Sequence, residues 1–364
     1  MKSRIFTVLT AMALFAALAI PVQSSTKGKI ITFDVPGAGT YGTFGFGVNV
    51  GGSIVGYYYD SNYLNHSFLR APNGTITTFD PPGAVRSSAY GLNLEGAITG
   101  VYRDSNDVRH GYLRAPNGTI TTFDVPGAGT DAFQGTLGLS INDFGVIFGY
   151  FLDSNNASHS YLRARNGTIT TFDVPGAGTD AGQGTFPDSF SGLNDFGTVN
   201  GTYFDSNNVS HSYLRARDGT ITSFDVPGAG TGEGQGTSGS SINNFGAIAG
   251  QIVDSNNVNH GYLRARNGTI TTFDVPGAGT GEYQGTYTSN INDFGVITGG
   301  YIDANNVSHG FLRTSKGTIT TFDVKDAGTG EYQGTAPASN NLEGTIAGYY
   351  ADSNDVYHGF LRLP

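Results

Sequence analysis

Cysteine and tryptophan are absent, and methionine occurs twice in 364 residues. No disulfide can staple this chain, and no thiol can act as nucleophile or metal ligand. Stability has to come from burial and backbone hydrogen bonding. Basic residues are scarce: 19 Lys and Arg stand against 29 Asp and Glu, a formal charge of −10. Nucleic-acid binding wants clustered Lys and Arg, and this acidic balance argues against it. Beyond the first 25 residues no apolar run is long enough to cross a bilayer as a helix. What is plentiful is glycine, 56 residues, placed at turns and not at every third position, which excludes collagen. The 24 Phe and 20 Tyr exclude a disordered chain.

Met1 to Ser25 has the order of a secretory signal. Lys2 and Arg4 form a basic start, Ile5 to Ile20 an apolar core, and Val22-Gln23-Ser24 a small-residue end. The core falls short of the roughly twenty residues of a membrane span, and Pro21 follows it at once. Cleavage is expected near Ser24 or Ser25, leaving residues 26–364 as one secreted domain, periplasmic or extracellular, with no membrane span.

The rest of the chain is a repeat. Phe-Asp recurs at Phe33-Asp34, Phe79-Asp80, Phe123-Asp124, Phe172-Asp173, Phe224-Asp225, Phe273-Asp274 and Phe322-Asp323, in steps of 44–52 residues. Each unit reads as four short strands. In the unit ending at Asp274 the first strand ends at Asn243 and the second is Ala247 to Val253. The third is His260 to Ala265 and the fourth Thr269 to Val275. Asn267-Gly268 predicts a two-residue type I′ hairpin, which would set Tyr262 opposite Phe273 and Gly261 opposite Asp274. The same reasoning makes Asn73, Asn117, Asn166 and Asn267, which match the glycosylation pattern, turn residues. Four-stranded units every 40–50 residues predict a β-propeller. The mature chain would begin with a fourth strand, Lys29 to Val35, and end with a third, His358 to Arg362. The expectation is therefore all-β: seven blades of four antiparallel strands, closed by the N-terminal strand pairing into the last blade, with Phe33 beside Phe360.

The stretches Ile242 to Gly250 and His260 to Leu263 resemble the HAF-type extracellular repeat. That family has an Ile-Asn-x-x-Gly turn, an Ile-x-Gly-Tyr strand and a His-Ala-Phe-Leu strand; here the residue after His is Gly or Ser. The resemblance implies an exported bacterial protein of β-rich repeats and brings no general activity with it.

All seven His stand six residues after an Asp: Asp60/His66, Asp104/His110, Asp153/His159, Asp205/His211, Asp254/His260, Asp303/His309 and Asp352/His358. An enzyme needs one asymmetric site, and seven equal pairs read as structural Asp–His hydrogen bonds. Cofactors are not expected. Ca²⁺ on the Asp-Ser-Asn-Asn loops is the alternative, although those loops lack the Gly and third carboxylate of a good calcium loop. Arg264 and Asp274 are expected on opposite faces of a hairpin, so that the Arg of one blade meets the Asp of the next.

Alternate turns of an antiparallel blade lie on opposite ends. The Asp-Ser-Asn-Asn loops and the Pro-Gly-Ala-Gly-Thr connections should share the loop-rich end, where a site belongs. Candidate ligand residues there are Gln183, Asp188, Gln235, Glu282, Tyr283, Gln284, Glu331, Tyr332 and Gln333. Arg86, in the one short connection, joins them as a break in symmetry. Amides, carboxylates and Tyr faces suit hydroxyl-rich ligands. The expected function is non-enzymatic binding of an extracellular glycan or surface protein by a monomer. The rivals are a glycoside hydrolase or polysaccharide lyase, with carboxylates drawn from Asp180, Asp188, Glu233 and Glu282, and a purely structural module.

Overall fold

The computed structural model describes residues 28–187 and 190–364. The proposed signal segment and Asp188 lie outside the described residues. Twenty-eight strands, numbered β1–β28 along the chain, and no helix occur among them. From Thr43 the strands pair antiparallel with their chain neighbours in six groups of four, and the last three, β26–β28, are joined by β1. One group is β18 (Gly236–Ile242), β19 (Ile248–Val253), β20 (Asn259–Arg264) and β21 (Ile270–Phe273). These bounds fall within two residues of the sequence expectation.

The hairpin between β20 and β21 differs from it in one respect. Arg264 pairs with Ile270, Tyr262 with Thr272 and Gly261 with Phe273. The register is one residue away from that of a two-residue loop. Gly268 has φ +89°, but Asn267 is not among the positive-φ residues. The Ala265 N–H donates to Thr269 O and the Gly268 N–H to Ala265 O. This is a three-residue loop, a type I turn closed by glycine in the left-handed region. Asn267 Oδ1 caps it by accepting from the Thr269 N–H at 3.0 Å.

The core lies between groups. Ile242, Ile248, Ile252 and Tyr262 pack with Leu214 and Phe224 of the preceding group. Tyr262 is fully buried, and burying such a side chain contributes roughly 1.5–3 kcal/mol. Phe224 meets Tyr262 edge-on at 6.3 Å, and Arg264 Cζ lies 4.7 Å above the Phe224 ring. The Arg of one unit therefore stacks on the Phe of its neighbour, and does not pair with the Asp as expected. The cause is position along the hairpin: Arg264 sits at the turn end, and Asp274 at the other.

Two sets of contacts join the ends of the chain. First, β1 (Ile30–Phe33) pairs antiparallel with β28 (Tyr357–Arg362), setting Phe33 opposite Gly359 and Thr32 opposite Phe360. Second, the turn asparagines form a chain of hydrogen bonds. Asn49 Nδ2 donates to Asn93 O, and so on through Asn142, Asn194, Asn243 and Asn292 to Asn341. Asn341 Nδ2 then donates to Asn49 O at 2.9 Å, which returns the chain to its start.

One group departs from the rest. Its first strand, β14 (Gly184–Phe186), has three residues. Phe190, just beyond, stacks on Tyr90 at 4.5 Å and meets Phe46 at 5.0 Å, both from distant groups. The longest connection thus brings an aromatic ring between inner strands.

Candidate functional site

The Asp–His expectation meets a three-member arrangement. Asp254 Oδ1 accepts from the N–H groups of Asn256 and Val258 at 2.8 and 2.9 Å, which closes its own loop. Its Oδ2 lies 3.6 Å from His260 Nε2, longer than a hydrogen bond. The His hydrogen bond goes elsewhere: Nδ1 lies 2.8 Å from Asp274 Oδ1, across the hairpin. The same pattern pairs His66 with Asp80, His110 with Asp124, His159 with Asp173, His211 with Asp225 and His309 with Asp323. His358 reaches Asp34 at the far end of the chain. The loop carboxylates considered for calcium are turned onto their own N–H groups.

These contacts predict a pH dependence. Burial would raise the Asp254 carboxyl, but the Val258 and Asn256 N–H groups, the Asn256 amide and His260 outweigh it and hold the pKa low. Asp104, Asp153, Asp205, Asp303 and Asp352 shift the same way. So does Asp60, where the Leu64 N–H leads. A depressed carboxylate stabilises the fold fully above its unfolded pKa, about 3.9, and that stability is lost as pH falls through the lower folded value. Melting temperature is expected to hold steady down to about pH 4 and then fall steeply. A melt series unchanged down to pH 2 would refute this. His159 carries the opposite sign. The Asp173 hydrogen bond raises its pKa against burial, so its contribution is present below about 6.5 and lost as pH rises through the folded value.

At the loop-rich end the candidate glutamines are braces. Gln284 Oε1 accepts from the Gly281 N–H at 2.9 Å, and its Nε2 donates to Asn306 Oδ1 at 2.8 Å. Gln183, Gln235 and Gln333 do the same with Asp180 and Asn208, Gly232 and Asn257, and Gly330 and Asp355. Each amide thus spends one lone pair and one N–H inside the protein, tying the connection to the neighbouring loop. Glu282 and Glu331 are exposed, and each accepts from an Asn of the adjoining loop, Asn257 and Asn306.

The aromatic candidates stand out differently. Tyr283 and Tyr332 are 67% and 74% exposed, with φ of 60° and 64°. Their N–H groups donate to Asn257 O and Asn306 O, which fixes the rings at the surface. Phe133, at the same place in an earlier connection, is 51% exposed with φ 67°. Sequence reasoning passed over it, although aligning Phe133-Gln134-Gly135 with Tyr283-Gln284-Gly285 finds it. The left-handed region costs a non-glycine residue roughly 1–2 kcal/mol. Two sister connections put Gly182 and Gly234 there, so the backbone does not require an aromatic.

A cavity of about 210 Å³ opens where the connection after Asp80 is short. Arg86, Arg103 and Arg109 line it, with Tyr59, Tyr90, Tyr150 and Asn65. The strands are β6 (Arg86–Leu92), β7 (Ile98–Arg103) and β8 (Arg109–Arg114). Arg86 pairs across with Arg103, and Arg103 with Arg109. Three guanidiniums therefore stand abreast at one sheet end, and directly opposed like charges are destabilising. Arg86 Nη1 donates to Tyr63 O at 2.7 Å, and Arg103 lies 5.1 Å above the Phe133 ring. Burial lowers the pKa of Arg109, yet a guanidinium stays charged. The sequence singled out Arg86 as a break in symmetry. The place of Arg103, Arg109, Tyr90 and Tyr150 beside it in this wall needs the tertiary structure.

The opposite end is less featureless than its tight turns imply. A cavity of about 230 Å³ borders the asparagine chain. Phe144, Phe196, Phe245 and Phe294, each next in sequence to a residue that lines it, are 62–68% exposed.

No protein-family model and no curated protein matches this sequence. Solved structures do match. The BP39L lectin from Burkholderia pseudomallei is 9% identical with a TM-score of 0.50, and the match covers 92% of this chain and 98% of the lectin. This is a propeller-like all-β fold. A puromycin hydrolase is similar at 10% identity and a TM-score of 0.51, covering 85% of this chain. One of two prolyl endopeptidases is similar at 10% identity and a TM-score of 0.50, also over 85%. The propeller-like chain spans 50% and 46% of those two proteins. At such identities the likeness is one of fold, and function has to be argued from the site.

Proposed function

We propose that this chain is an exported, non-enzymatic glycan-binding protein of the HAF-type repeat kind, built as a closed seven-bladed β-propeller. Closure is supported by the β1–β28 pairing, the His358–Asp34 contact and the return of the asparagine chain from Asn341 to Asn49. A closed ring leaves no strand edge unpaired.

The observation that carries the binding reading is the set of exposed aromatics at positive φ. Tyr283, Tyr332 and Phe133 keep a strained backbone where sister connections use glycine. A flat apolar face beside Glu282 or Glu331 is what a sugar ring stacks on, with its hydroxyls donating to the carboxylate. Each platform is shallow, and affinity for a polymer comes from several acting together.

The test is a glycan array and titration calorimetry with Tyr283→Gly/Tyr332→Gly. Binding of neutral oligosaccharides is expected to fall at least tenfold. The melting temperature should stay level or rise slightly, because strain is relieved. Undiminished binding by that variant would defeat the platform reading. A reducing-end release assay on the same sample is expected to show no turnover.

A further inference from the structure

We infer that the Arg86–Arg103–Arg109 cavity holds the carboxylate of an acidic saccharide residue, a second site apart from the Tyr283 and Tyr332 platforms. It rests on the glycan-binding reading for the saccharide and on its own geometry for the charge.

The geometry begins with what the other repeats forbid. The position of Arg86 is Gly135, Gly184, Gly236, Gly285 and Gly334 elsewhere, each at positive φ. A Cβ there would sit 2.0–2.1 Å from a carbonyl oxygen of the preceding unit, Arg109 O in the case of Gly135. Those glycines pair in parallel with the preceding third strand, as Gly135 does with Arg109. The short connection after Asp80 makes no such pairing. The Val85 N–H donates to Arg103 O, as the Gly129 N–H does to Leu152 O in the next unit, but Arg86 follows at once and enters the strand without positive φ. The glutamine brace and its flap are also missing. One deletion in the repeat thus opens the cavity and admits a long cationic side chain.

The charge pattern points to an anion. Among the described residues, the one carboxylate within 4 Å of the three guanidiniums is Asp107, 3.9 Å from Arg103 Nη1. Packing three like charges abreast has a cost that sister units avoid: Arg103 and Arg109 correspond to Leu152 and Ser158 in the next unit. A bound carboxylate offsets it with charge-assisted, bidentate hydrogen bonds. The remaining wall explains why the anion belongs to a sugar. Tyr59 and Tyr150 supply flat faces, while the Tyr90 ring is already stacked on Phe190 and the Asn65 amide N–H groups are held by Ser87 O and Ser88 Oγ. At about 210 Å³ the cavity is smaller than the roughly 300–1,000 Å³ of drug-sized sites, which suits one ring of a chain.

The experiment is calorimetry with galacturonic acid trimer, its neutral methyl ester, and inorganic sulfate. The variants are Arg86→Gly and Arg109→Ser, which place the sister residues at the same register positions, with circular dichroism melts to verify folding. The acidic trimer is expected to bind the parent at least tenfold more tightly than its ester. Each substitution should weaken it by about tenfold, and 200 mM salt should weaken it further. Equal affinity for acid and ester would overturn the inference, as would trimer binding that survives the double variant. Sulfate binding as tightly as the trimer would also overturn it, leaving a plain anion site. The two readings fail separately. Tyr283→Gly/Tyr332→Gly should lose neutral glycans and keep the trimer, whereas the arginine variants should do the reverse.

Discussion

A chain that starts after Val35, and so lacks β1, is expected to lose most of its stability and to self-associate. Four paired positions with β28 disappear. Ile31, Phe33 and Val35 leave a cluster with Ile54, Phe68 and Leu361. The Phe33 ring also loses its edge contact with Phe68 at 5.9 Å and the Arg70 guanidinium at 5.0 Å. Full burial of such a side chain contributes about 1.5–3 kcal/mol; Val35 is fully buried and Ile31 and Phe33 partly so, and the lost strand pairing adds to this. The total is of the same order as the whole margin of a typical domain, ~5–15 kcal/mol. The loss also uncovers the edge of β28, and an unpaired hydrophobic edge recruits other strands. Urea denaturation and size-exclusion chromatography of the two chains give the answer. Matching midpoints and a monomeric truncated chain would show that the proposed ring is not closed through β1. Addition of a peptide covering residues 28–35 should restore the parent midpoint.

The second large effect belongs to Gly250→Val. A Cβ at that position would sit 2.3 Å from Ser238 O and 2.5 Å from two atoms of the Tyr262 ring. The ring of Tyr262 is fully buried and occupies the space where the missing side chain would go. Neither the paired strand backbone nor the ring can yield without disturbing the next unit. Overpacking a well-filled core costs about 1–3 kcal/mol, and more where backbone has to move. The expected loss is therefore at the upper end, ~3 kcal/mol or above, read as a fall in the urea midpoint. Tyr262→Leu in the same chain should return part of it, because the two substitutions share one space and are not additive. A Gly250→Val midpoint equal to that of the parent would refute the close-approach account.

Much of this was legible in advance, for identifiable reasons. Alternating β-branched and aromatic residues around Asn-Gly and Asp-Ser-Asn-Asn located the strands to within two residues. The repeat located the seven histidines at equivalent positions. The hairpin register was not legible, since Asn267-Gly268 serves a two-residue and a three-residue loop equally well. The choice is made by the Ala265–Thr269 pair. That single step moved Phe273, not Asp274, opposite Gly261. The Arg–Asp pairs failed because Arg264 stands at the turn end of its hairpin, over Phe224, and Asp274 at the other end. The bracing role of the glutamines was not legible for a different reason. An amide that could grip a sugar hydroxyl is chemically the same as one that grips the neighbouring loop, and only the fold shows that Gln284 is already used.

The sequence by itself determined the local rules: where strands run, where they turn, and that one unit is repeated with its ends in complementary phase. Those follow from side-chain shape and backbone preference, which act over a few residues. Tertiary structure decided which groups remain available. Whether Arg86 meets a carboxylate, whether Tyr283 faces water, and which atom His260 holds all depend on residues 14 to 50 positions away or in another unit, brought within a few ångströms by packing between sheets.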